Sequence, residues 1–257
     1  MTLLRRWFAL CALALFAATW RLWTPQTVFP QIPYFEVLRS VPGWVDWIAL
    51  TGVVIALVGL LCAPGERGAS ALRVPPVRAF ALLFIASLLV LVLLDQHRLQ
   101  VWAYQFAIVA IVLGAFADAA CSKTACMHLR LLVIGIYFWS AISKLDHAFL
   151  HSLGPELLRG TLAAFGIEPG WMRSDVAATL SLTFPLVELA VAGLLAFRPT
   201  RRFGLTASIV MHVLLLATLG PWGLDHSWGV LLWNVYFIGQ NMLLFGPTAI
   251  ANDDSHP

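Results

Sequence analysis

Long apolar segments dominate this chain and restrict what it can fold into. They lie at about residues 7–23, 45–62, 79–94, 104–118, 129–144, 180–197, 203–219 and 228–246. Several approach the roughly 17–25 residues that a helix needs to cross a bilayer. Only 11% of the residues are charged, whereas soluble domains carry about 25%. We therefore predict an all-α protein, a polytopic helical membrane bundle of about eight transmembrane helices, with residues 1–257 as a single integral membrane domain.

The first apolar segment has two interpretations. Arg5 and Arg6 precede it, as basic residues precede the apolar core of a cleavable signal peptide. However, the segment continues into Trp20-Arg21-Leu22-Trp23 without a cleavage site of the small-x-small type. This favours a retained first helix, and cleavage would leave seven helices with the same outer face.

The distribution of lysine and arginine predicts the orientation. With a cytoplasmic N-terminus, ten of these residues flank the segments on the inner side and six on the outer side. Because basic residues favour the cytoplasmic side, we predict an inner (plasma) membrane protein with both termini cytoplasmic. The lipid bilayer is then the first predicted partner of the protein. The basic residues are spread out rather than clustered, which argues against a nucleic-acid partner.

One polar connection is longer than the others, and it lies on the predicted outer side. Over about residues 152–174, apolar and polar residues alternate with a roughly helical period. This pattern predicts a short amphipathic helix lying on the membrane surface.

Lys144 ends the fifth apolar segment. A charge at the end of a membrane helix marks a candidate chemical site, since burying it is costly. Tyr137 and Ser140 share its helical face at spacings of three and four. Desolvation disfavours a charged amine, so a partly buried lysine can act as a base near neutral pH, and Lys144 is our candidate catalytic base. The alternative is a lysine that extends to the lipid headgroups without a chemical role.

Other polar and aromatic residues lie beside the predicted outer ends of the helices. Polar groups gathered at an apolar pocket are typical of a binding site. The candidate substrate-binding residues are Asp95, His97, Arg98, Tyr137, Trp139, Ser140, Asp146 and His147. For Asp95 and Arg98 there is an alternative, because residues three apart can pair on one helical turn and order the loop.

Two polar residues interrupt neighbouring apolar segments. Glu188 lies near the middle of one, and His212 lies midway along the next. An acid within a membrane helix usually faces the bundle interior and has a partner, and His212 is the candidate partner. Such a pair would be either a proton relay, which makes both residues candidate catalytic residues, or a structural tie between helices.

No metal site is predicted. His147 and His151 have the i,i+4 spacing of two ligands on one helix. No glutamate lies between them in the arrangement of zinc proteases.

Three blocks of sequence resemble a known superfamily. They are the loop at 95–105, the aromatic helix that ends in Ser143-Lys144-Leu145-Asp146, and the histidine-bearing helix that leads to Pro221-Trp222. These blocks resemble the membrane domain shared by vitamin K-dependent gamma-carboxylase and the bacterial horizontally transferred transmembrane (HTTM) proteins. In the carboxylase, the lysine of this motif deprotonates vitamin K hydroquinone. The resemblance implies Lys144 as a base, the loop at 95–98 nearby, and a quinone or quinol as cofactor.

The segment from Phe184 to Gly193 resembles a second group, the DoxX and MauE redox-associated membrane proteins. Two main functions follow from the two resemblances. One is an enzyme, either carboxylase-like and quinol-dependent or an oxidoreductase, that binds a quinol or a similar lipid-soluble substrate in an outer pocket. The other is a non-catalytic redox accessory or assembly protein that docks a periplasmic protein partner. A proton-coupled transporter that uses Glu188 and His212 is less favoured, because no inverted repeat is evident.

Overall fold

A computed structural model describes residues 1–25, 30–64, 76–118, 121–168, 170 and 173–247. Within these residues the regular structure is entirely helical, which confirms the predicted helical membrane bundle. The chain divides into two compact units, Met1–His128 (unit 1) and Leu129–Pro257 (unit 2). The prediction of a single membrane domain stays a prediction.

The helices of unit 1 coincide with the first four apolar segments. They are α1 (Thr2–Ala18), α2 (Trp20–Trp23), α3 (Trp44–Cys62), α4 (Pro76–Leu94) and α5 (Val101–Ala115), with short 3₁₀ turns at Glu36–Ser40 and Gln96–Arg98. Helix α6 (Ser122–Ser143) begins in unit 1 and continues into unit 2.

The remaining helices belong to unit 2. They are α7 (Gly154–Ala164), α8 (Ser174–Ser181), α9 (Thr183–Ala196), α10 (Arg201–Leu219) and α11 (Trp228–Phe245), with a π-helical turn at Phe149–Leu153 and a 3₁₀ turn at Arg198–Thr200.

Five helical stretches are long and apolar enough to cross a membrane. They are Trp44–Cys62, Pro76–Leu94, Ser122–Ser143, Ser174–Ala196 and Arg198–Leu219, and Val101–Ala115 is a shorter apolar helix. The fourth of these stretches combines α8 and α9, which are separated at Leu182. Pro185 explains the interruption, because proline has no N–H to donate to the carbonyl four residues earlier and is tolerated only in the first turn of a helix.

Aromatic side chains form the core of unit 1. The ring of Phe8 packs edge-on against Phe84 and Phe106, with centroids 6.0 and 5.3 Å apart. Trp23 and Trp102 continue this cluster at the end of α1. Edge-to-face pairs at these distances add to the free energy gained from burial. The cluster ties α1 to α4 and α5.

Helix α10 is the centre of unit 2, where it packs against α7, α9 and α11. Gly204 permits the close approach to α9, because a Cβ atom there would lie 2.8 Å from the backbone nitrogen of Leu195. The helix predicted within residues 152–174 is present as α7. It packs against α8 and α10, and Thr161 Oγ1 lies 2.9 Å from Thr218 Oγ1. Residues 169, 171 and 172 of that segment lie outside the described residues, and its position on a membrane surface stays a prediction.

Candidate functional site

Lys144 forms an ion pair with Glu188 inside unit 2. Its Nζ atom lies 2.8 Å from each carboxylate oxygen of Glu188 and also donates to the hydroxyl of Ser140, one turn earlier. The two charged side chains are only 23% and 14% exposed. Lys144 directly follows the last residue of α6, and Glu188 lies in α9. The ion pair therefore ties the end of α6 to α9 and cancels two charges within apolar surroundings.

A chain of buried hydrogen bonds joins α6, α10 and α11. The hydroxyl of Tyr137 lies 2.7 Å from Nε2 of His212, and Nδ1 of His212 lies 2.8 Å from Oδ1 of Asn234. The amide nitrogen of Asn234 donates to the carbonyl of Val230 at 2.9 Å, so its oxygen faces the imidazole. Nδ1 of His212 is therefore the donor to Asn234, and Nε2 accepts the proton of Tyr137.

Asn241 extends this chain at the Tyr137 end. Its amide nitrogen donates to the hydroxyl oxygen of Tyr137 at 2.6 Å and to Ser208 at 3.2 Å. The imidazole of His212 also stacks on Phe237, with ring centroids 5.0 Å apart and planes 10° apart. Both ring nitrogens and one face of His212 are thus occupied, which holds the side chain in a single orientation.

The expectation that His212 is the partner of Glu188 is wrong. Glu188 pairs with Lys144, whereas His212 bonds to Tyr137 and Asn234. The structure therefore replaces one predicted interhelical pair with two separate polar contacts.

Arg98 and Asp46 form a buried ion pair in unit 1. The guanidinium of Arg98 is fully buried, and one of its amino groups donates to the carboxylate of Asp46. The same amino group also donates to the backbone carbonyl of Leu91 at 3.2 Å, and the other two guanidinium nitrogens donate to those of Leu22 at 3.0 Å and Thr24 at 3.4 Å. Arg98 thereby joins the chain after α1 to α3 and α4. The alternative side-chain pair between Asp95 and Arg98 is not formed, since the Arg98 guanidinium bonds to Asp46 and the Asp95 carboxylate bonds to His97. A role of Arg98 in substrate binding stays a prediction.

Asp95 has a local role instead. Its carboxylate accepts hydrogen bonds from the backbone N–H of His97 at 3.2 Å and from the ring of the same residue at 2.9 Å. It also accepts from the backbone of Ile32 at 3.5 Å. These contacts order the start of the 3₁₀ turn, while the His97 side chain stays 56% exposed. The predicted pocket shared by this loop and Lys144 stays a prediction.

The other candidate residues lie near the end of α6. Trp139 is 68% exposed and its ring contacts Phe138, so it is not part of the buried chain around Tyr137. Asp146 accepts a hydrogen bond from the backbone N–H of Phe149 at 2.6 Å, which caps the next helical segment. His147 is exposed and stacks on His151.

Three residues in these contacts were not among the predicted site residues: Asp46, Asn241 and Ser208. Asp46 could have been found from the sequence, because it is an acid at the start of an apolar segment, and a buried acid there needs a partner. Asn241 lies seven residues after Asn234, which places both amides on one face of α11. Ser208 had no signal, since serine is common in membrane helices. Among the described residues, no three His, Cys, Asp or Glu side chains are grouped so that they could hold a metal ion together.

One family model matches part of the chain. The model of methylamine utilisation protein MauE matches residues 122–222, about two fifths of the chain. The matched region begins with α6 and ends just after α10, so it contains Tyr137, Lys144, Glu188 and His212. This match supports a membrane protein similar to MauE and DoxX, not an HTTM protein specifically. No curated protein and no solved structure matches the chain.

Proposed function

We propose that this protein is a membrane-embedded accessory component of a redox system, which acts together with a protein partner. The MauE match carries this proposal, and the matched region contains the Lys144–Glu188 ion pair and the Tyr137–His212 hydrogen bond. We place the protein in the inner membrane with both termini cytoplasmic, as the lysine and arginine distribution predicts, so that the partner docks on the periplasmic face.

The contacts of Lys144 also favour an accessory role over base catalysis. An ammonium group has three donors, and those of Lys144 are directed at Ser140 and at both oxygens of Glu188. A substrate that used Lys144 as a base would first have to displace Glu188. The same contacts suit a structural tie that fixes the end of α6 against α9.

Deletion of the gene tests this proposal in the source organism. Membranes of the deletion strain should lose oxygen uptake with one electron donor, and methylamine is the first to test because of the family that matches. Uptake with NADH and succinate should remain at the wild-type rate and serves as the control. Wild-type rates with every donor, methylamine included, would contradict the proposal.

A quinol-binding function is the second candidate. The Lys144–Ser140–Glu188 group is only partly exposed and combines donors with acceptors, so it suits the hydroxyl and carbonyl groups of a quinol or quinone. In that case Lys144 is the base, and the activity is that of an oxidoreductase or of a carboxylase-like enzyme.

Mass spectrometry of lipids bound to the purified protein tests quinone binding. The double variant K144M/E188M removes both charges together, so neither is left buried without its partner. The quinol hypothesis expects a stoichiometric quinone in the wild type and at least a tenfold depletion in this variant. Equal quinone in both proteins, or none in the wild type, would contradict it.

A further inference from the structure

Two exposed imidazoles lie face to face just after the Lys144 site. The rings of His147 and His151 stack with centroids 3.9 Å apart and planes 15° apart. The π-helical turn Phe149–Leu153 includes the second histidine, and Asp146 caps the segment that carries both. The two rings are therefore held side by side by regular backbone structure.

Among the residues that the structure describes, the Nε2 atoms of both rings have no hydrogen-bond partner in the protein. Nδ1 of His151 lies 3.0 Å from the carbonyl oxygen of His147, so this nitrogen carries the proton and Nε2 has an open lone pair. Histidines that bind metals usually donate their second N–H to a carbonyl or carboxylate in this way. The ring contact of His147 within the described part of the chain is with His151.

The charges near the pair do not oppose a cation. Lys144, three residues before His147, is neutralised by its ion pair with Glu188. The carboxylate of Asp146 directly precedes His147 in the chain. The local electrostatic balance is thus neutral to negative.

We propose that His147 and His151 form a two-histidine binding site for a divalent transition metal, with Cu²⁺ the preferred ion. Two nitrogen ligands on one metal lie about 3 Å apart at metal–nitrogen bonds of about 2.0 Å. Because the two ring planes are nearly parallel in the stack, each side chain must turn about its χ1 and χ2 bonds until both Nε2 lone pairs point at one ion, and the exposure of both side chains allows this. Imidazole suits copper, and Cu²⁺ heads the affinity order of the first-row divalent metals. Water completes the coordination, which makes the ion exchangeable. This proposal does not depend on the accessory function.

Titration of the purified protein with Cu²⁺ alone tests the site. The protein is prepared without a polyhistidine tag, and binding is followed by calorimetry and by electron paramagnetic resonance. We expect one ion bound with nitrogen hyperfine structure from two imidazoles. H147A and H151A should each lower the affinity about tenfold or more. Both side chains are exposed, so the variants should keep the wild-type melting temperature.

His128 provides the matched control. It is also exposed, and its Nδ1 lies 2.7 Å from the carbonyl oxygen of Thr124 four residues earlier. Its ring stacks on Phe116 instead of on a second histidine. H128A should therefore bind Cu²⁺ with the wild-type affinity. Wild-type affinity in the double variant H147A/H151A, or a spectrum with a single nitrogen ligand in the wild type, would overturn the proposal.

Discussion

Replacing Asp46 with alanine is expected to destabilise unit 1 by about 3–5 kcal/mol, because it leaves the fully buried guanidinium of Arg98 without its counter-charge. The three carbonyl contacts of Arg98 remain, but carbonyl dipoles do not cancel a full charge. Removing one partner of a buried ion pair is more costly than replacing both. Thermal and denaturant unfolding of the purified protein in detergent measures the effect.

The surface pair of Glu36 and Arg39 is the control for this prediction. Its closest atoms are 3.5 Å apart, and its side chains are 87% and 71% exposed. Exposed ion pairs contribute about 0–1 kcal/mol, so E36A should change the stability by less than 1 kcal/mol. The double variant D46L/R98M removes both buried charges and should recover much of the loss seen in D46A. Equal stabilities of D46A and E36A would show that Arg98 does not need its buried partner.

The second large effect is expected from His212. H212A removes a ring that packs on Phe237, and it leaves the hydroxyl proton of Tyr137 without its acceptor and the side-chain oxygen of Asn234 without its donor. A large-to-small change in a core costs about 3–5 kcal/mol for an aromatic side chain, and each unpaired polar group adds to this. We expect a loss of about 3 kcal/mol or more in the free energy of unfolding, measured in the same detergent.

Two milder variants separate ring packing from hydrogen bonding. H212F keeps a ring against Phe237 but removes both nitrogens, and Y137F removes only the hydroxyl. Interhelical hydrogen bonds in membrane proteins average about 0.6 kcal/mol, so Y137F should cost about 1 kcal/mol. If H212A had the wild-type free energy of unfolding, the buried chain of hydrogen bonds through His212 would be contradicted. A loss in Y137F as large as that in H212A would assign the effect to the hydroxyl rather than to packing.

The polar contacts of unit 2 are consistent with the proposed accessory role. Several of its polar side chains are paired with one another across helices, as in Lys144 with Glu188 and Tyr137 with His212. Such pairing suits a rigid membrane scaffold. The stacked histidines lie at the exposed end of the same region, where an ion can reach them from solvent.

The helices themselves could be predicted from the sequence. The length and composition of the apolar segments indicate that they cross a bilayer. Lipid offers no hydrogen bonds to the backbone N–H and C=O groups, so these groups must bond to one another within a helix. Proline and capping residues act on their immediate neighbours, so the interruption before Pro185 and the cap at Asp146 are also local properties of the sequence. The sequence likewise identified Lys144, Glu188 and His212 as unusual, because a polar residue within or at the end of an apolar segment is visible without a structure.

The partner of each polar residue was decided only by the tertiary structure. Arg98 is three residues from Asp95, yet it pairs with Asp46, which is 52 residues away. Glu188 pairs with Lys144 across 44 residues, and His212 bonds to Tyr137 across 75. Spacing along a helix shows which residues share a face, but not which helix that face meets. Helix packing makes that choice, because in an apolar bundle a buried polar group is stable only beside the partner that packing brings within hydrogen-bond distance.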